Sequence, residues 1–229
     1  MKHAPTHIKL MQPEHFDFES RYSGYIYIDE SGRGNIASEM VFTGVKVLGD
    51  VSFATDSKKL TGKQISGVVD RIKENVQYFS VITTSTEIDL HGLSASIKKS
   101  LESIINHFGE NEKYLYDGNK TFGVDNHNLE TLVKADALVK GVGAASIIAK
   151  HTKDALLLVH HEEYPMYNWD KNAGYATKDH IEAIKKYGFT KYHRMSYNVK
   201  ELAPYKPQQS KKDSTEDINR NEKIIDFLF

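Results

Sequence analysis

The chain has 229 residues, enough for one large domain or two small ones, and its 39% hydrophobic content implies polar segments around an ordinary core. A formal net charge of −1 supplies no bulk basic field, so a nucleic-acid partner would have to be met by a local patch. Cysteine is absent, which excludes disulfides and thiolate metal sites; no apolar run reaches the about 18–20 residues of a membrane span, and the expectation is a soluble, cytoplasmic protein.

Residues 1–23 mix His, Pro, Glu and aromatics without a period, which predicts an arm that is irregular or forms a short strand on the body. Tyr25–Asp29 reads as the first strand and Val41–Val47 as the second, with a glycine-rich turn suggesting a hairpin. Thr61 is placed to cap a helix to about Val76, with Ile65, Val68, Val69 and Ile72 on one face. Val, Ile and Thr from Tyr78 to Ile88 predict a strand. Leu93–Phe108 has helical spacing and is stopped by Gly109. Tyr114–Asp117 and Thr131–Asp136 each read as an apolar strand ending on an acid. Ala137–His161 predicts one long helix, with Gly141 and Gly143 permitting close packing near its start. Lys178–Tyr187 predicts another helix, ended by Gly188. The expected organisation is an arm over 1–23, a folded domain over 24–203 that includes the C-terminal helices, and a polar tail over 204–229 that finishes in the apolar Ile224–Phe229. Strands before and between helices predict an α/β or α+β class with a mixed sheet.

The stretch Asp29-Glu-Ser-Gly-Arg-Gly34 carries the first chemical signal. Two acids at a strand end are costly unless solvated, paired or metal-bound. The glycines of Gly32-Arg33-Gly34 allow a sharp turn whose amides can face an anion. Two readings stand: a divalent-metal site beside a nucleic-acid backbone, or an exposed strand-to-turn junction. Asp117 and Asp136 extend the first, because a sheet can gather distant strand ends at one edge. Carboxylates alone suit Mg²⁺ or Mn²⁺, and a pair of such ions about 3.5–4 Å apart supports phosphodiester hydrolysis. Against it, 31 acids will place a few at strand ends by chance. Adjacent His160 and His161 lack the i, i+4 spacing of a metal-binding helix, and Gly141-Val-Gly143 lacks the Lys-Ser/Thr of a phosphate loop. Lys98-Lys99 and Lys185-Lys186 read as solvated faces.

Read together, Asp29-Glu-Ser-Gly-Arg-Gly34, Asp56-Ser-Lys-Lys-Leu60, Asp117-Gly118, Lys134-Ala-Asp-Ala137, Ala144-Ala-Ser-Ile-Ile-Ala-Lys150, Gly174-Tyr-Ala-Thr-Lys-Asp-His180 and His193-Arg-Met-Ser-Tyr197 resemble the type 2 ribonucleases H, ribonuclease HII, in order and spacing over roughly residues 24–200. The resemblance implies a ribonuclease H-like fold: a mixed central sheet flanked by helices, with a helical C-terminal part. It implies an endoribonuclease that cuts RNA in RNA–DNA hybrids and ribonucleotides embedded in duplex DNA, leaving 3′-OH and 5′-phosphate ends. By the same resemblance Asp29, Glu30, Asp117 and Asp136 are the catalytic carboxylates on two Mg²⁺ or Mn²⁺ ions, with Asp29 bridging. Gly32, Arg33 and Gly34 match the segment that contacts the 2′-OH and backbone, which is the group that separates RNA from DNA. Tyr175 matches the tyrosine that stacks under the sugar beside the RNA–DNA junction, while Lys58, Lys150 and Ser146 match residues near the phosphates. The chain departs from the family at Asn35-Ile-Ala-Ser-Glu39, where Pro-Leu-Ala-Gly-Pro is usual; Ser38 and Glu39 leave the loop path after the glycines open, and the acid nearby is expected to weaken DNA contact. A non-catalytic hybrid-binding module on the same fold is the alternative; the full acid set argues against it. The protein is expected to be a monomer without membrane contact; for Ile224–Phe229 two readings stand, packing back on the body or forming a terminal helix, or acting as a peptide anchor that resembles sliding-clamp-binding peptides without their usual Gln.

Overall fold

The computed structural model describes residues 16–54 and 62–207, so Lys58 and Ile224–Phe229 lie outside the described residues. Five strands form one mixed sheet in the order β3-β2-β1-β4-β5. β1 (Ile26–Ser31) pairs antiparallel with β2 (Met40–Val47), and β2 with β3 (Val76–Thr83). β4 (Tyr114–Asp117) lies parallel to β1 on its other side, and β5 (Leu129–Leu132) lies parallel to β4. Parallel pairing of β1 and β4 brings their C-terminal ends, and hence Asp29 and Asp117, to one sheet edge.

Strand alternation assigns the faces. Ile26, Ile28, Tyr114 and Tyr116 point into a core with α4 (Leu93–Phe108), through Leu101 and Ile104. On the opposite face, Val45 packs with Val69 and Ile72 of α2 (Gly62–Lys73) and with Ala144 and Ile148 of α6 (Lys140–Glu163). Gly141 lets α6 approach the sheet, since a Cβ there would meet the Tyr27 ring at 2.2 Å. A third cluster, with Tyr167, Trp169, Ile184 and Leu202, joins α7 (Trp169–Asn172), α8 (Lys178–Tyr187) and the closing 3₁₀ turn Lys200–Tyr205. None of the described helices is long and apolar enough to cross a membrane.

Five local expectations are corrected. The end of the N-terminal arm is a short helix, α1 (Phe18–Arg21), because the Asp17 side chain accepts Ser20 N–H and caps it. The α2 helix ends at Lys73, and Val76 already opens β3. β3 stops at Thr83, and Ile88 belongs to a helix, α3 (Ser85–His91). Thr84 and Glu87 form a reciprocal capping box there, which outweighs the strand propensity of the Thr-rich run. Lys134, in the left-handed region at φ 62°, ends the path of β5 and opens α5 (Ala135–Leu138), so Asp136 stands on a helix and not at a strand end. Extended Val139, buried against Tyr27 and Leu115, then separates α5 from α6.

Candidate active site

The period of two along β1 splits the adjacent acids. Asp29 follows Tyr27 to the α6 face, whereas Glu30 follows Ile28 to the α4 face. On the α6 face Asp29 meets Asp117 and Asp136, with oxygens of the three carboxylates all within 4.8 Å of one another. The Asp136 backbone N–H donates to Asp117 Oδ2 at 3.2 Å, which locks α5 onto the end of β4. Glu30 is held apart: Tyr116 O–H donates to Glu30 Oε2 at 2.8 Å, and Arg33 Nη1 stands 3.6 Å from Glu30 Oε1.

Electrostatics single out the cluster. Burial pushes the Asp29 carboxyl well above the usual carboxylate range; the charges of Glu30 and Asp117 add to this, and a hydrogen bond from Ser146 opposes it. Burial also raises Glu30, against the bond from Tyr116 and the charge of Arg33. Burial raises Asp117, with the neighbouring Asp136 charge adding and the Asp136 amide opposing. Clustered, mutually repelling oxygen donors fit a hard divalent cation, which would relieve that repulsion.

All four acids line one cleft of about 490 Å³ together with Gly32, Arg33, Gly34, Ser146, Lys150 and Tyr175. Among the described residues, then, every residue anticipated for the site faces this space. Gly32 has φ +89°, and a Cβ on it would lie 2.6 Å from the Glu39 carbonyl, so only glycine fits the turn. The turn is pinned from the C-terminal part: Tyr197 O–H donates to the Arg33 carbonyl at 2.6 Å and Arg194 Nη1 donates to it at 3.2 Å. Ser146, Lys150 and Lys153, at i, i+4 and i+7, share the face of α6 turned to the cleft. Lys153 escaped sequence reasoning, although that spacing could have revealed it. Its buried stem lies under Gly32, and its amino group shares Asp154 with Lys150.

The expectation for Glu39 is overturned. It is buried, accepting from His160 Nε2 and from Ser38 Oγ, and does not face the cleft. Residues 35–38 run away from the cleft and are stitched to the C-terminal part by Asn35 Nδ2 to the Ala173 carbonyl at 2.6 Å and Ser38 N–H to the Tyr192 carbonyl at 2.8 Å.

A mixed sheet with carboxylates converging at the ends of its central parallel strands defines a ribonuclease H-like nuclease. A family model described as Ribonuclease HII matches residues 26–200. The ribonuclease HII of Sulfurovum sp. (strain NBC37-1) is 45% identical over 175 residues, covering 76% of this chain and 92% of that one. The ribonuclease HII of Aliarcobacter butzleri (strain RM4018) is 40% identical over 176 residues, covering 76% and 91%. Among solved structures, the PCNA:RNase HII complex from Archaeoglobus fulgidus matches with TM-score 0.68 at 20% identity, over 81% of this chain and 98% of that one. The ribonuclease H2 from Pyrococcus horikoshii OT3 matches with TM-score 0.62 at 23% identity, over 76% and 93%. The chain belongs to the ribonuclease HII family, and is a metal-dependent endoribonuclease.

Proposed function

We propose that this protein hydrolyses the RNA strand of RNA–DNA hybrids and cuts at ribonucleotides embedded in duplex DNA, giving 3′-OH and 5′-phosphate ends. The observation that carries the reading is the meeting, in one cleft, of the Asp29–Asp117–Asp136 cluster, the Gly32-Arg33-Gly34 turn and the Tyr175 ring. Asp29, Asp117 and Asp136 would hold two Mg²⁺ or Mn²⁺ ions, with Asp29 central and Glu30 completing the set from the other face of β1. Bound there, the ions supply Lewis acidity that activates the attacking water and stabilises the leaving 3′-oxygen.

The chain's own residues do the rest. The glycine turn offers backbone close enough to sense a 2′-OH, with Arg33 beside it for the phosphate. Tyr175, half exposed beside Gly34, offers a ring face to the sugar at the RNA–DNA junction. Ser146 steadies Asp29, and Lys150 lends positive charge to the phosphate track. On this reading the protein acts as a cytoplasmic monomer in removal of ribonucleotides from DNA. Ile224–Phe229 serves as a sliding-clamp anchor, in keeping with the clamp complex named for the Archaeoglobus relative.

The test is cutting of duplex DNA carrying one ribonucleotide, with Mg²⁺, Mn²⁺ or EDTA, by wild type and Asp136→Asn. Metal-dependent incision by wild type alone is expected, with the variant down by more than ~10²-fold. Cutting in EDTA, or by an unimpaired variant, contradicts the mechanism. Tight hybrid binding without incision supports the binding-module alternative. Deleting residues 221–229 is expected to leave cutting of free duplex intact and to abolish stimulation by the clamp.

A further inference from the structure

Beneath Tyr175 lies a buried chain of rings that the reaction does not touch. Trp169 and His180 are fully buried and His193 is 2% exposed. The Thr190 backbone N–H donates to His193 Nδ1 at 2.9 Å, so His193 carries its hydrogen on Nε2. That Nε2 lies 3.2 Å from His180 Nε2, which also accepts from Trp169 Nε1–H at 3.0 Å. His180 therefore carries its hydrogen on Nδ1, and donates it to the Tyr175 carbonyl at 2.8 Å. The two N–H donors, Thr190 N–H and Trp169 Nε1–H, set this assignment of both rings, with Thr190 Oγ1 also 3.0 Å from His193 Nδ1 and its hydroxyl then donating there.

We propose that His180 and His193 form a neutral, tautomer-locked relay that positions Tyr175 for the substrate. The inference rests on the reading of Tyr175 given above. The Tyr175 carbonyl also accepts Thr177 N–H at 2.8 Å, and its own N–H donates to the Asn172 carbonyl at 3.0 Å. Its backbone is thus fixed by hydrogen bonds while its ring stays half exposed at the cleft. A proton added at His180 Nε2 would face the hydrogens of Trp169 and His193, and one added at His193 Nδ1 would face Thr190 N–H. Burial opposes protonation as well: it lowers His180, and burial together with the neighbouring His180 takes His193 down to about 3. Tyr167, Trp169 and Phe189 surround His193 with rings.

Long-range ¹H–¹⁵N spectra of the full-length protein read the tautomers directly. Expected are His180 with Nδ1–H and His193 with Nε2–H, both unchanged between about pH 5 and 8. The opposite tautomer, or titration of either ring in that range, overturns the relay. Kinetics read the positioning. His180→Leu is expected to cut duplex with one ribonucleotide roughly 10–100-fold less efficiently, with Mn²⁺ affinity unchanged. His180→Asn keeps a donor near Nδ1 and is expected to recover most of the loss. Tyr175→Ala/His180→Leu is expected to be no worse than Tyr175→Ala alone. Additive losses, or no recovery by Asn, overturn the positioning role. Normal cutting by Tyr175→Ala removes the junction role of Tyr175, and the tautomers still judge the relay.

Discussion

Among the described residues, two places bury carboxylates, and they treat them in opposite ways. Burial opposes ionisation of Glu39, yet the bond and charge of His160 and the bond from Ser38 hold its carboxyl below the ordinary range. Burial also opposes ionisation of Asp29, but its neighbours are further acids, and one hydroxyl from Ser146 offsets only part. The same desolvation thus meets a hydrogen-bonded partner in one place and further acids in the other. Glu39 holds the start of β2 to α6, whereas Asp29, Asp117 and Asp136 face one another, a set of oxygen donors that suits a cation.

The contrast can be broken from either side. Removing the partner at the compensated site has the largest expected effect on stability. His160→Leu strands a buried carboxylate and is expected to cost about 3–5 kcal/mol in chemical denaturation, while Mn²⁺ affinity of the remaining folded protein stays at the wild-type value. Coupled loss of Mn²⁺ affinity would show that the two sites are not separate. Gly32→Ala comes next: its Cβ meets the Glu39 carbonyl at 2.6 Å with φ +89°, so roughly 1–3 kcal/mol and most of the cutting are expected to go. Wild-type melting of that variant would mean that the turn is free to move. Least affected is the solvated face of α4, where Lys98 pairs with Glu102 at 3.6 Å. Lys98→Ala is expected to shift stability by less than about 0.5 kcal/mol and leave cutting unchanged.

Much of this architecture is legible in the residues. Leu93–Phe108 and Lys178–Tyr187 are helices with the predicted bounds, because long apolar periodicity and a following glycine leave little choice. The acids, the glycine turn and Tyr175 are legible through motif order, and the structure gathers them. Less legible is anything decided by alternation or capping. That Asp29 and Glu30 leave β1 on opposite faces follows from pleating, yet their shared cleft depends on where β1 ends. Asp136 reads as a strand end in sequence, and only left-handed Lys134 converts it into the first turn of α5. The role of Glu39 was hidden because its partner His160 lies 121 residues away on α6.

A cation at the Asp29–Asp117–Asp136 cluster relieves a cost to stability that these acids impose without one. A carboxyl raised above its ordinary value of 3.8 keeps its proton longer in the folded protein, so the contribution of these acids to metal-free stability is fullest below that value and is lost as pH rises through the raised range. Asp29→Asn removes the largest part of that penalty. The most direct measurement is the melting temperature in EDTA and against added Mn²⁺, near neutral pH. Wild type is predicted to melt lower than Asp29→Asn in EDTA, by an equivalent of roughly 1–3 kcal/mol, and to rise with Mn²⁺ while the variant gains far less. An Asp29→Asn protein that melts lower than wild type in EDTA, or that gains as much from Mn²⁺, would contradict it.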